Sequence, residues 1–329
     1  MTILIVEGTA KVYRKSGNLA ITDKEGSTME VALPDLELVA IVGERILITS
    51  SAIITLLSQG IPIVFFSGRS EVYGVLFDII QIGTTNIREV QYRYFSNNFF
   101  RLKYAKPIII SKLKGLYNVL RYEYKYHKDK LSKEDYEHIK YSILEITELI
   151  IRVNDINELR TLEAQGSKYF WNAIVNFIPE EYEFTGRKPR KGDVINSAID
   201  FLYAVLYGII TKAIVTNGLD PFYGLIHVLK SGRLSLTYDL SEIFKPIVLH
   251  AIIQASRRAR LRTFRGSRLL KPKTIEILTK YLYYRLSKES EKRYKRKSIW
   301  YLPLMEVRNF KNAIMKEIKY EPYIYNPTE

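Results

Sequence analysis

Asn217–Pro246 reads NGLDPFYGLIHVLKSGRLSLTYDLSEIFKP. Asn217-Gly218 has the chemistry of a turn. Asp220-Pro221 has that of a helix N-cap with proline at the first helical position. The spacing therefore predicts a short helix that carries His227 and ends at Ser231-Gly232. After a short extended piece, Asp239 opens a second helix, and Asp239 and Glu242, three residues apart, share one of its faces. One histidine and two carboxylates within sixteen positions form a candidate metal site that lacks one further oxygen ligand. The same Asp-Leu-Ser-Glu also fits a capping box, in which Asp239 caps the helix and Glu242 reaches back to the cap's amide. His227 also fits as a satisfied core histidine.

The remaining composition narrows the partners. The 329 residues carry 50 Lys+Arg against 35 Asp+Glu, a net charge of +15, and the pI is about 9.6. Such an excess points to a polyanion, either nucleic acid or an acidic membrane. Hydrophobic residues at 47% are enough for a substantial core, and the length suits one large or two ordinary domains. There is no cysteine, which excludes disulfides, zinc-thiolate sites and cysteine nucleophiles. The start, MTILIVEGTAK, has too short an apolar run for a signal peptide. The longest apolar run, Phe201 to Thr211, falls well short of the ~18 residues that a membrane span needs. The expectation is a soluble cytoplasmic protein with no membrane partner.

Along the chain, two textures meet. Up to about residue 80, short runs rich in Val, Ile and Leu read as strands: Thr2–Val6, Lys11–Arg14, Leu19–Thr22, Glu30–Leu33, Leu36–Val42, Ile61–Phe66 and Val72–Phe77. Turns are expected at Ser16-Gly17-Asn18, Lys24-Glu25-Gly26, Val42-Gly43-Glu44 and Gly68, and one short helix at Ser50–Gln59. From about Ile87 helical periodicity takes over: Arg88–Lys103, Ser111–Lys128, Lys133–Ile151, Asp155–Phe177, Asp193–Val215, a helix from Pro272, and Leu304–Lys319. The fold class is α+β, with a small N-terminal β-strand domain (1–86) and a large all-helical domain (87–329). The tail from Tyr320, with two prolines, is expected to be loose.

The helix at Asp155–Phe177 supplies the missing oxygen ligand. Leu159, Leu162, Gly166, Phe170, Ala173 and Phe177 define its apolar face, and Glu163 sits on or beside that face. A carboxylate there needs a partner, which is either a metal or a buried arginine such as Arg160. Gly166, unfavourable by about 1 kcal/mol against alanine in a helix interior, implies a close approach. Beyond Pro246, Arg257, Arg258, Arg260, Arg262, Arg265, Arg268, Lys271 and Lys273 occur with no acid between Ile243 and Ile275. A run this dense and acid-free suits phosphates. Lys292–Lys297 adds a second basic patch, and the TGRKPRKG loop at 185–192 a third basic segment.

Three blocks together resemble the integrases of CRISPR adaptation, the first of the CRISPR-associated proteins (the Cas-one family). They are Leu159-Arg160-Thr161-Leu162-Glu163 through Tyr169-Phe170, Asp193-Val194-Ile195-Asn196-Ser197-Ala198 with Tyr203-Ala204, and Gly218 through Pro246. Gly166 and Lys245 depart from the residues common at those positions. The resemblance implies metal ligands at Glu163, His227 and Glu242, with Asp239 close by as a catalytic partner, and Mg²⁺ or Mn²⁺ as the cofactor. It implies a homodimer formed largely through the β domain, and a dimer of the small second Cas protein as a bridge. The activity it implies is insertion of protospacer DNA into a CRISPR repeat by 3′-hydroxyl attack on a phosphodiester. Arg257, Arg258, Arg260, Arg262, Arg265 and Arg268 would then hold the DNA backbone without reading sequence. Two alternatives stand beside it: a metal-dependent nuclease of branched DNA, and a non-catalytic DNA-binding scaffold.

Overall fold

The computed structural model describes residues 2–66, 72–77, 85–189, 193–227 and 230–327. Its strands are β1 (Thr2–Lys15), β2 (Asn18–Asp23), β3 (Thr28–Val31), β4 (Leu36–Ile48), β5 (Ile63–Phe66) and β6 (Val72–Leu76), in one sheet ordered β3-β2-β1-β4-β5-β6. β4 lies parallel to both β1 and β5, and the outer pairs are antiparallel. Side chains alternate across the sheet with period two. Val39 and Ile41 join a small core under α1 (Ser50–Ser58), with Ala52 and Leu56. Leu38 and Ala40 face the other way, into the large helical core. Coverage on both faces is why β4 is continuously apolar from Leu38 to Val42.

Helices follow from Thr85: α2 (Thr85–Ser96), α3 (Asn98–Tyr126), α4 (Lys133–Arg152), α5 (Ile156–Ile174), α6 (Val194–Thr216), α7 (Ser235–Ser241), α8 (Lys245–Arg258), α9 (Pro272–Tyr294) and α10 (Tyr301–Met315). The α+β architecture expected from the sequence is the one observed. α6 is the axis of the helical part. It is long and apolar enough to cross a membrane, yet 83% of its most apolar window is buried inside the fold. The Phe201 ring meets Phe66 of β5 at 5.6 Å between centroids, so sheet and helices share one core. Asp193 caps α6 through Asn196 N, and Asn217 with Gly218 ends it, as their chemistry predicts.

Several elements differ from the sequence expectation. The first two predicted strands are one, β1. The turn expected at Val42-Gly43-Glu44 is an irregularity within β4, where Gly43 takes φ +119° opposite a register shift at Glu7/Thr9. The turn expected at Gly68 lies outside the described residues. The helix expected at Arg88–Lys103 breaks at Asn97, whose side chain accepts from Phe99 N and Phe100 N and starts α3. α3 then runs 29 residues through Pro107, joining two predicted helices. A proline there costs roughly 3 kcal/mol, and the buried stripe of Leu102, Ala105, Ile108, Ile109, Leu113 and Leu116 outweighs it.

The tail is not loose. Tyr320, Tyr323 and Tyr325 are buried, and their hydroxyls meet Glu306, Glu289 and His250. Ser111 Oγ donates to the Tyr323 carbonyl and Asn118 to that of Tyr325, so the tail straps α3. The last helix, expected to run to Lys319, ends at Met315, and Ile318 beyond it is exposed.

His250 gives this strap a pH dependence. Burial, then Arg285, Arg257 and Lys288, hold its pKa well below the usual 6.5. The unfolded chain therefore takes up this proton first as pH falls. The stability that depends on neutral His250 is complete above about 6.5 and is lost progressively below it. Chemical denaturation should show wild type losing stability from pH 7 to pH 5 more steeply than His250→Gln. Equal slopes would contradict this.

Candidate active site

Four elements meet around one carboxylate. Asp239 lies inside α7 and is fully buried. Its Oδ2 accepts from the amides of Leu225 and Ile226 (2.5 and 3.0 Å), and Oδ1 accepts from the His227 amide at 3.0 Å. Oδ1 also lies 2.6 Å from His227 Nδ1. The Leu225 and Ile226 carbonyls, on the other side of the chain, accept from the guanidiniums of Arg101 on α3 and Arg160 on α5. Gln91 on α2 bonds the Asp220 and Tyr223 carbonyls and the Asp220 amide.

The helix expected over Asp220–Gly232 is therefore absent from its described residues, 220–227 and 230–232. Its amides and carbonyls are bonded to other elements instead of to each other. The Asp220 side chain accepts from Phe222 N and Tyr92, which closes a turn. Gly224 is where this loop touches α7. A Cβ there would lie 2.5 Å from Asp239 Oδ2 and 2.7 Å from the Ser235 carbonyl carbon.

The capping-box reading fails on the same geometry. Asp239 sits within α7, whose N-cap is Leu234, and Glu242 is the residue after the helix. The Glu242 side chain turns to two ammonium groups. Lys245 Nζ lies 2.5 Å from Oε1, and Lys112 Nζ of α3 lies 2.7 Å from Oε2. The Oε2 contact is an ion pair without an aligned hydrogen bond. Lys112 also bonds Glu163 Oε1, which in turn accepts from Ser167 at 2.8 Å. His227 Nε2 is 4.0 Å from Glu242 Oε1.

Glu163 and Glu242, from two separate elements, thus share the Lys112 ammonium, and His227 Nε2 approaches Glu242 from its other oxygen. Arg160, the alternative partner for Glu163, goes to the loop carbonyl instead. The close approach predicted at Gly166 is by Leu113, whose methyls would lie within 3 Å of a Cβ. Among the described residues, no group of three His, Asp or Glu side chains stands ready to hold a metal ion as arranged. Asp239 belongs behind His227 and away from that ammonium.

Electrostatics keep the site charged. Burial pushes Glu242 up, but Lys112, Lys245 and His227 outweigh it and hold the carboxyl below the usual carboxylate range. Burial works against the charge on Lys112 and on Lys245, and Glu242 foremost, joined by Glu163 at Lys112, holds both above the ordinary lysine value. Glu163 and His227 are each about a quarter exposed, so the site opens to solvent on their side. His227 is accordingly not a core histidine.

The basic run divides. Arg257 bonds Glu123 at 2.6 Å and the Phe177 carbonyl, so it is engaged inside the fold. Arg268 is half-buried with its own partner. Arg258, Arg260, Arg262 and Arg265 are exposed at and beyond the end of α8. In the 185–192 loop, Arg187 is tied to Asp200 and Asn196, and residues 190–192 lie outside the described residues. Sequence reasoning missed Lys112, Arg101, Gln91 and Ser167. Only Arg160, inside the Leu-Arg-x-x-Glu block, carried any signal.

Asp239→Asn turns one acceptor oxygen into a donor facing N–H groups. Unfolding free energy should drop by about 2–3 kcal/mol, and amide exchange at Leu225, Ile226 and His227 should accelerate together. Unchanged protection at those three amides would contradict the clamp.

Residues 3–281 match the family described as CRISPR associated protein Cas1. CRISPR-associated endonuclease Cas1 1 of Archaeoglobus fulgidus is 31% identical over 269 residues, 76% of each chain. Two solved structures share the fold. A casposase bound to integration product superposes with a TM-score of 0.84 at 21% identity, over 99% of this chain and 95% of that one. A Cas6-RT-Cas1–Cas2 complex gives 0.77 at 17% identity, over 100% of this chain and 36% of that one. The chain belongs to the Cas1 family.

Proposed function

We propose that this protein is a CRISPR adaptation integrase and DNA endonuclease that depends on Mg²⁺ or Mn²⁺. The observation that carries the reading is one ammonium, that of Lys112, shared by Glu163 and Glu242, with His227 Nε2 4.0 Å from the other oxygen of Glu242. The donor set fits a hard divalent ion with some tolerance for nitrogen, which favours Mn²⁺ slightly. His227 donates Nδ1–H to Asp239, the outer-shell arrangement that fixes the tautomer and frees Nε2 for a metal. Such an ion, when bound, lowers the pKa of an attacking hydroxyl and offsets charge developing on phosphorus.

The chain's own residues do the rest. Asp239 and the two guanidiniums of Arg101 and Arg160 hold His227 in place through the loop backbone. Lys245 stays beside Glu242 and keeps that carboxylate ionised. Exposed Arg258, Arg260, Arg262 and Arg265 grip phosphates, which gives affinity without sequence reading. The chemistry exchanges one phosphodiester for another. The 3′-oxygen of the protospacer strand loses its proton and bonds to phosphorus, and the repeat's own 3′-oxygen leaves and is protonated. The protein contributes position and charge neutralisation. Water in place of the 3′-hydroxyl gives strand cutting, the activity in the name of the Archaeoglobus relative. The casposase, bound to integration product, supports the joining reaction.

The assembly is part of the proposal: a homodimer through the sheet, and a small second Cas protein as partner, as in the Cas1–Cas2 complex. A monomeric mass by light scattering would remove the dimer from it.

Glu163→Gln, Glu242→Gln and His227→Ala should each abolish joining of a labelled duplex to a repeat-containing plasmid, and cutting with it. DNA affinity should hold, because phosphate contacts elsewhere supply most of it. An active Glu242→Gln enzyme with normal metal dependence would sink the assignment. Replacing Arg258, Arg262 and Arg265 by alanine should weaken binding to unrelated duplexes alike. It should also flatten the plot of log affinity against log salt by about one unit per lost phosphate contact. An unchanged slope would mean these arginines do not touch DNA.

A further inference from the structure

Lys112 is the residue at the site that neither the sequence nor the proposed reaction uses. It is 7% exposed and projects from α3, where the helix is fixed on both sides of it. Ser111 is bonded to the tail at Tyr323, and Gly115 abuts Pro246 and Tyr325. Its ammonium bonds Glu163 Oε1 and lies 2.7 Å from Glu242 Oε2. Lys245, the other ammonium nearby, pairs with Glu242 and lies over the Tyr203 ring. Only Lys112, among the described residues, touches both carboxylates. It stands where an ion shared by both would stand.

From this geometry we infer that Lys112 is a tethered counter-ion, which holds the two ligand carboxylates together without a divalent ion and must withdraw for one to bind. The inference rests on the metal reading above. Two carboxylates at one buried position repel unless a cation lies between them. A monovalent ammonium meets that need, but it cannot share the position with a divalent ion. Its four-carbon stem is flexible enough to leave. The open state is then a fraction of the population, and apparent metal affinity is reduced by that fraction. Lys112 thus lowers metal affinity while protecting the metal-free fold.

The test is calorimetric titration of full-length wild type, Lys112→Met and Lys112→Arg with Mn²⁺, alongside thermal unfolding in EDTA and in saturating Mn²⁺. Lys112→Met should bind Mn²⁺ roughly tenfold more tightly than wild type. In EDTA it should unfold on the order of 5 °C earlier, and Mn²⁺ should recover most of that loss. Lys112→Arg, which keeps a bridging cation, should bind no more tightly than wild type. Unchanged or weaker Mn²⁺ binding by Lys112→Met, with the same melting deficit in EDTA and Mn²⁺, would overturn the inference and leave the metal reading standing. No binding heat from wild type or either variant would overturn both. If Lys112→Met does not fold, amine acetylation of wild type with mass-spectrometric readout decides. Lys112 should be protected in EDTA and become reactive with Mg²⁺, and protection in both would overturn the inference.

Discussion

The carboxylate of Asp239 is the point on which the site depends. It is buried, and among the described residues His227 is the one basic side chain in direct contact with it, so its lone pairs need donors. Three consecutive amides, Leu225 to His227, and the His227 ring supply them. In return the loop gives up the helical bonding that its proline and N-cap residues invite. Arg101 and Arg160 take the carbonyls left over. One buried charge therefore sets the path of Leu225–His227 and the direction of one imidazole. Gly224 is small because the loop has to come this close to α7.

A second charge arrangement sits beside the first. Glu163 and Glu242 come from α5 and from the end of α7, and neither helix would bring two acids together without compensation. Lys112 and Lys245 compensate, from α3 and α8. The C-terminal strap is part of this support, because it fixes α3 at Ser111 and Gly115, on either side of Lys112. Residues that look remote from the chemistry, Tyr323 and Tyr325, thereby hold the helix that carries one of its charges.

What the sequence disclosed follows from the range of the interactions. α5, α6 and α9 were legible because helical periodicity is a local signal, and Asp155 and Asp193 cap α5 and α6 where those helices were expected to begin. The strands were legible as apolar runs, while the β4 irregularity at Gly43 resembled a turn because a positive φ serves both. Glu163, His227 and Glu242 were legible as residue types in familiar blocks, and the fold brings them together. The loop at 220–227 was misread because Asp220-Pro221-Phe222 carries local helix-start chemistry, whereas its partners at 91, 101, 160 and 239 are distant in sequence. Lys112 was invisible because a lysine between Ser111 and Leu113 on a mixed helix has no spacing signature. The tail was misread because two prolines suggest looseness, while three tyrosine hydroxyls with buried acceptors anchor it.

The central claim is that Glu163, Glu242 and His227 Nε2 are ligands of one divalent ion. Anomalous scattering from crystals of the full-length protein soaked in Mn²⁺ tests it most directly. The account predicts one strong peak at about 2.1–2.3 Å from an oxygen of each glutamate and from the imidazole nitrogen, with the Lys112 ammonium moved away. A peak bound instead by Asp239, or no peak between the two glutamates at saturating Mn²⁺, would contradict it.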